Sequence, residues 1–493
     1  MTASIATGPF ASGRRGIGAS PADRLSQRTD GALERLLGLI GPRWVGIGFA
    51  IVAIVVYIWS NPHRWGFYDH FVWQAQAWLD GTAGIRYPVD SGVRTNDYYQ
   101  DVLDLGDRLL TERLGLPYEP GRALIPFPPL PAVILLPFVA VFGLATQGAL
   151  VFAVLGGINV GLCWRMLTRV TERRDAAFLV TIAYGFGTVA WYASMLGTTW
   201  FQAHVAASTF LFLAITAALD GERHEAEDGS GRALPGQLAL RGVGAGLLFG
   251  IACLARLTAL FGAPFFAFVG PGRSWVRRAV AAALGCAVPL VLLATYNLAT
   301  TGHVFHPAYD HIRETEVKPA PELYHEDWGT EDPRYILVNW PIMLLNAPVN
   351  APAGAYDEPC TPTTGLLDQL RPDEDAACPL RPSAMGMSIF LTTPAFLLAI
   401  PALVLGWRRR LVAGAGVAVL AIALADLAHF SQGWVQFGYR FSNDFAPFAM
   451  ILVALGIVEA RRWRVGWVVS LLLVAASVAI NAWGVMWGVE LGW

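Results

Sequence analysis

The chain has 493 residues, 55% of them hydrophobic and 15% charged, with a formal net charge of −2. Soluble globular proteins carry about 25% charged residues, so these apolar runs cannot all hide in one water-soluble core. The absence of any global basic field excludes a nucleic-acid partner. Of the 35 Lys and Arg residues only Lys318 is a lysine, which reads as genomic codon bias.

Residues 1–32 are rich in Gly, Ala, Ser and Arg without an apolar core, so 1–42 is expected to be a largely disordered cytoplasmic tail with no secretory signal pattern. Apolar runs follow near 43–60, 124–143, 147–168, 176–194, 198–219, 241–270, 279–298, 386–406, 411–429, 444–459 and 465–487. Several reach the ~20 residues that cross the hydrocarbon region as a helix. The run from Trp44 to Trp59 lacks a small-residue cleavage pattern and is read as an uncleaved anchor. The predicted fold is all-α, a polytopic membrane helical bundle of about eleven membrane helices. It divides into a membrane core over 43–298 with a first polar loop at 61–123, a second polar loop at 299–385, and C-terminal membrane helices over 386–493.

Orientation follows from the short connections. Arg165, Arg169, Arg173 and Arg174 form one cluster, and Arg273, Arg277 and Arg278 a second. Arg408, Arg409 and Arg410 form a third, and Arg461, Arg462 and Arg464 a fourth. Short Arg-rich loops stay in the cytoplasm, which places both long polar loops outside, the N-terminus inside and the C-terminus outside. Two runs must then fail to cross. The run beginning Ile125-Pro-Phe-Pro-Pro-Leu-Pro131 is poorly suited to a helix at its start and is expected to dip into the outer leaflet and return. The run 241–270 lies between two inside loops and is expected to be a short half-membrane pair broken near Arg256-Leu-Thr258. Cys360 and Cys378 share the second outer loop, where a disulfide is permitted and expected.

The polar loops hold the chemistry. After Gly66-Phe-Tyr-Asp69 an amphipathic helix is predicted, with Phe71, Ala75 and Trp78 on one side and Gly81 ending it. Asp69 either caps that helix or is a carboxylate held at the membrane surface. Asp97, Asp101 and Asp104, spaced i, i+4, i+7, would share one helical face, as a solvated row or as ligands for a divalent cation. Arg256 is the basic residue well inside an apolar run, suited either to a lipid phosphate or to a backbone carbonyl. In Gln432–Asp444, Arg440 offers a second anion contact and Trp434, Phe437 and Tyr439 offer stacking faces; Asp444 either caps the next helix or pairs with Arg440. His204, beside Gln202, reads as a packing histidine. No Walker loop, soluble Rossmann fingerprint, zinc-protease motif or nucleophile elbow is visible.

In their order, Tyr68-Asp69-His70, Gln76-Ala-Trp-Leu-Asp-Gly81, Pro126-Phe-Pro-Pro-Leu-Pro131, Leu254-Ala-Arg-Leu-Thr258, Tyr296-Asn297 and Gln436–Asp444 with Pro447 resemble the GT-C superfamily of membrane glycosyltransferases, especially the bacterial relatives of protein O-mannosyltransferases and lipid A aminoarabinose transferases. The resemblance spans about 43–460. It implies a polyprenyl-phosphate sugar donor in the plasma (inner) membrane and an inverting transfer to a glycan, lipid or protein acceptor. Asp69 would be the general base, and Arg256 and Arg440 would hold the donor phosphate. His70, Trp434, Tyr439, His303 and Tyr309 would contact substrate. His70 stands where better-known members carry a second acid, which favours a reaction without a metal or other cofactor. A lipid-sugar flippase or other transporter is the alternative, against which stand the bare centres of most spans and the absence of a visible internal repeat.

Overall fold

The computed structural model describes residues 37–62, 68–87, 101–227, 235–315, 327–352, 358–363, 365–370, 378–433 and 435–492. Asp97 and Trp434 lie outside the described residues, as does nearly all of the N-terminal tail.

The chain is a polytopic helical membrane protein. Its first helix, α1 (Pro42–Ser60), starts with Pro42, a residue that needs no hydrogen-bond partner at that position. The first polar loop holds α2 (His70–Leu79), strands β1 (Ile85–Arg86) and β2 (Leu103–Asp104), the short helix α3 (Arg108–Leu114) and β3 (Arg122–Leu124). The strands form an antiparallel sheet in the order β1-β3-β2, with Ile85 opposite Ala123 and Leu103 opposite Leu124. Membrane helices then follow: α4 (Leu130–Phe142), α5 (Gly148–Val170), the bent pair α6 (Arg174–Gly187) and α7 (Ala190–Leu196), α8 (Thr199–Glu227) and α9 (Pro235–Cys253). A 3-10 turn at Leu257–Gly262, α10 (Phe265–Phe268) and α11 (Trp275–Thr301) complete the first half. The second polar loop carries α12 (Ala308–Thr315), α13 (Tyr335–Leu344), β4 (Val349–Asn350), α14 (Leu366–Gln369) and β5 (Leu380–Arg381). After it come α15 (Ile389–Thr392), α16 (Ala399–Gly406), α17 (Arg410–Leu427), α18 (Ser442–Ala460) and α19 (Gly466–Glu490).

Among the described residues, seven helices are long and apolar enough to span a bilayer, eight counting the α6–α7 pair bent by 47°. Their surfaces divide as a lipid solvent requires. On α1, Ile47, Ile51 and Val55 repeat every fourth residue and are exposed; on α11 Val280, Leu284, Val288 and Leu292 do the same. These stripes have no protein partner and suit hydrocarbon. In contrast, the apolar windows of α8 and α18 are 83% and 89% buried, so these two form the centre of the bundle.

All four arginine clusters meet at one end. Arg169 pairs with Asp220 near the end of α8 (3.0 Å), and Arg410 with Glu222 two residues along (3.2 Å). Arg461 pairs with Asp175, and Arg409 with Glu459 (3.0 Å). Arg278 donates to the carbonyls of Ala267 and Gly272, while the Gly272 amide donates to Glu225.

The two unusual runs both form short helices. The 241–270 run breaks after Cys253, at Leu254–Arg256, far from the arginine end, and returns through Leu257–Phe268 to the carbonyl of Phe268, which Arg410 engages. Both halves are among the shorter apolar helices. Helix α4 is also short, and neither of its ends reaches the arginines: the Leu130 amide donates to Leu254 (3.0 Å), and a Cβ on Gly143 would meet Gln76 of α2.

Candidate active site

The site end of the bundle is organised by the first turns of α8. Thr199 clamps the first polar loop. Its amide donates to the Tyr68 carbonyl (3.2 Å), its hydroxyl donates there too, and His70 Nδ1 lies 2.7 Å from that hydroxyl. Tyr68 is held at φ 53°, a left-handed conformation that L-residues adopt only when surroundings over-determine it. The clamp fixes Asp69 at the position that precedes α2, where its side chain makes no capping hydrogen bond. Its carboxylate instead lies over the start of α5. A Cβ on Gly148 would lie 3.5 Å from Asp69 Oδ1, an ordinary contact, and 2.7 Å from Gln202 Nε2, which would have to shift.

Trp200, the next residue of α8, donates from Nε1 to Asp101 Oδ2 (2.9 Å) and meets Tyr68 edge-on. Burial pushes the Asp101 carboxyl above its ordinary value, opposed by the Trp200 N–H and by Arg440. Phe127, from the proline-rich segment, sits edge-on to His70, Trp200 and Tyr309 at centroid distances of 6.0, 6.4 and 6.5 Å. Burial raises the Tyr309 hydroxyl to about 12 against the pull of Arg256, so it stays protonated as a donor.

The charged centre lies beside this aromatic group. Arg256, 20% exposed at its side chain, faces Asp444 in the first turn of α18. Nε and Nη2 donate to Asp444 Oδ2 at 3.0 and 2.8 Å, and Thr258 Oγ1 donates to the same oxygen at 2.6 Å. His204 Nδ1 lies 2.7 Å from Asp444 Oδ1, while its buried Nε2 has no partner among the described residues. Asp426, at the end of α17, lies 4.0 Å from Arg256 Nη2 with both its oxygens buried. Arg256 and Arg440 both lie against the Phe441 ring, at 5.1 and 5.3 Å from its centroid. Arg440 is also 5.9 Å from the Trp200 ring. Gly433, at φ 85°, makes room for Arg440: a Cβ there would fall 2.7 Å from the guanidinium carbon.

This geometry corrects several expectations. Asp101 and Asp104 share no helical face. Asp101 is a turn residue at φ 61°, and Asp104 pairs in β2 while its Oδ1 accepts from the Gly106 amide (2.7 Å). Pairing with β3 overrides the local spacing that suggested a helix. Among the described residues no group of three or more His, Cys, Asp or Glu is placed to hold a metal. Asp444 neither caps α18, which follows Phe441, nor pairs with Arg440; its partners are Arg256, Thr258 and His204. Arg256 accordingly finds a carboxylate, not a carbonyl. His204 packs beside Phe441 and is also a hydrogen-bonding member of the charged centre.

Of the other expected residues, His70, Arg256, Arg440 and Tyr309 gather around Trp200, Phe127 and Phe441. Tyr439 is wholly buried and donates to Gln432 Oε1 (2.6 Å), so it supports the segment from within. His303 lies elsewhere, with Nε2 2.9 Å from the Leu114 carbonyl, and ties the second polar loop to the first. Cys360 and Cys378 are joined, Cα atoms 5.7 Å apart, beside the β4–β5 pair.

No protein-family model matches the chain, and no curated protein does. Two solved structures of an Archaeoglobus fulgidus oligosaccharyltransferase are similar to it. One, tethered to an acceptor peptide containing the NVT sequon, has a TM-score of 0.49 at 11% identity; the other, in the apo form, has 0.44 at 12%. Each alignment covers 90% of this chain but 55% and 56% of the archaeal chain, so this chain spans about half the length of that protein. Likenesses this distant carry no argument about activity, substrate or partner, and the functional reading rests on the residues themselves.

Thr199, Trp200, Thr258, Asp426 and Asp444 are the members of the site whose roles sequence reading did not supply. For Asp444 the spacing from Arg440 pointed to the wrong partner. For Trp200 the one available signal was its place at a helix start on the site side.

Proposed function

We propose that the chain is a glycosyltransferase of the GT-C kind, moving a sugar from a polyprenyl-phosphate donor to an acceptor hydroxyl at the extracytoplasmic face of the plasma membrane. The observation that carries this reading is convergence. The segments on which the sequence resemblance rests are far apart in the chain yet meet at one end of the bundle. Tyr68–His70 is clamped to α8, Phe127 touches His70, Leu130 is bonded to Leu254, and Arg256 and Arg440 flank Phe441. Tyr296 joins them by accepting from Gln74 of α2 (3.0 Å). That end is opposite the four arginine clusters, and the preference of such clusters for the cytoplasm supports an extracytoplasmic site.

In this reading the acceptor hydroxyl attacks the anomeric carbon while Asp69 takes its proton. The new C–O bond forms as the bond from the anomeric carbon to the phosphate oxygen breaks, and the centre inverts. The electron pair leaves on the polyprenyl phosphate. Arg256 and Arg440 face the charge that develops there, in a site of low dielectric where fixed donors are most effective. Asp444 holds Arg256 through Nε and Nη2, and Nη1 makes no hydrogen bond among the described residues. That leaves Nη1 for the donor phosphate.

The test is donor choice by the purified protein in lipid vesicles. Transfer from a polyprenyl-phosphate sugar, with none from the matching nucleotide sugar, is the expected result. Transfer from the nucleotide sugar alone would refute the reading.

A further inference from the structure

A cavity of about 330 Å³ opens one helical turn from Asp69. It is lined on one side by Trp73 and Gln76 of α2 and by Asp80, which caps the end of that helix, at i, i+3 and i+7. Arg86 of β1 and Arg122 of β3 line another side, and Leu144, in the turn after α4, closes the third. None of these residues takes part in the charged centre. We infer that this cavity binds the acceptor, and that the acceptor is a sugar carried on a membrane lipid. The inference rests on the transferase reading and supplies its missing substrate class.

The lining chooses the ligand. The half-buried Trp73 indole lines the cavity, and an indole suits the C–H face of a pyranose, with the burial that aromatic side chains provide. Around it stand planar groups able to pair with neighbouring hydroxyls, and they are already braced. Gln76 donates to Asp80 (2.9 Å), Arg86 donates to Asp80 (3.3 Å), and Arg122 donates to the carbonyl of Gly84 (3.1 Å). Such preorganisation lowers the ordering cost of binding. A simple anion fits less well, because Asp80 neutralises Arg86 and itself lines the cavity.

The third wall supplies the lipid. Val141 and Phe142, at the end of α4, are 73% and 62% exposed next to Leu144, and Leu79 at the end of α2 is also exposed. Helix α4 is apolar throughout, and such surface belongs in the bilayer. A ligand with its head against Trp73 therefore has its tail at the height of hydrocarbon. The head is also near the base: the Trp73 amide donates to the Asp69 carbonyl (3.1 Å), and its ring lies 5.1 Å from that of His70.

Octyl glucoside below its micelle concentration is the probe, added to the full-length protein in an amphipol, with glucose and dihexanoyl phosphatidylglycerol in parallel. Hydrogen–deuterium exchange is read over residues 77–87 and 122–124. Octyl glucoside is expected to slow exchange there at a concentration at least about tenfold below that of glucose. Trp73→Ala and the surface change Arg86→Ala should each weaken the effect, and Asp69→Asn should leave it intact. Equal protection in wild type, Trp73→Ala and Arg86→Ala would overturn the inference. So would protection by phosphatidylglycerol without protection by the glycoside, which would make this an anionic-lipid site. Wild-type acceptor KM in both cavity variants would refute the acceptor role while leaving the transferase reading standing. Failure of every lipid donor would refute that reading and leave glycoside binding measurable.

Discussion

Arg256 and Asp444, 188 residues apart in sequence, meet in a two-point ion pair in which Nε and Nη2 of the arginine both donate to one carboxylate oxygen. The pair joins the break in the 241–270 segment to the first turn of the most buried helix. Two buried charges cost desolvation energy, and removing one partner strands the other. Asp444→Ala should therefore destabilise the protein by about 3–5 kcal/mol, seen as a lower unfolding midpoint in detergent. The double change Arg256→Met with Asp444→Leu should recover much of that stability and remain inactive in sugar transfer. Recovery of activity in the double variant would remove both residues from the chemistry.

Gly433 offers a finer probe of Arg440. Its φ of 85° strains any L-residue, and a Cβ would fall 2.7 Å from the arginine's guanidinium carbon. Gly433→Ala should push Arg440 off Phe441. The expected outcome is a raised donor KM in a protein that still inserts and folds, measured by titrating the lipid donor. An unchanged donor KM would show that Arg440 does not meet the donor.

The Cys360–Cys378 bridge closes a segment with a sequence separation of 18 residues. Chain-entropy arguments assign a loop of this size about 3 kcal/mol. Cys360→Ser should lower the unfolding midpoint and increase proteolysis of the second polar loop. Mass spectrometry of the native protein should find the two cysteines linked.

His306 gives the second polar loop a pH dependence. Burial, with a smaller push from His303, lowers its pKa from 6.5 to about 4. Its Nδ1 accepts from the Ala308 amide (3.3 Å), a bond that only the neutral ring can make. Because the folded pKa lies below the unfolded one, the stabilisation is complete above pH 6.5. It is lost as pH falls from there toward about 4. His306→Gln should flatten this part of the stability profile. A parallel acid profile in the variant would assign the titration to another group.

How far the sequence reveals all this depends on whether the deciding forces are local. The broken helix around Arg256 was readable because a charge inside an apolar run between two connections expected on the same side has few places to go. The amphipathic α2 was readable from Phe71, Ala75 and Trp78, and it ends at Gly81 with φ 78° as the turn requires. The acidic row was misread because its helical spacing was incidental: β3 supplies Leu103 and Asp104 with strand partners from twenty residues away. The partner of Arg256 was hidden for a related reason. Arg440, four residues before Asp444, offered a local pairing that the tertiary structure does not use. The braced cavity beside Trp73 draws on α2, the sheet and the turn after α4, and only the fold brings those together.

The central claim is that Asp69 is the base of a lipid-linked sugar transfer. Its most direct test compares wild type with Asp69→Asn in transfer of a radiolabelled sugar from polyprenyl phosphate to membrane fractions. Losing the base should slow transfer by roughly 10²–10⁴-fold, while expression, membrane insertion and the unfolding midpoint stay close to wild type. Transfer by Asp69→Asn at the wild-type rate would contradict the account.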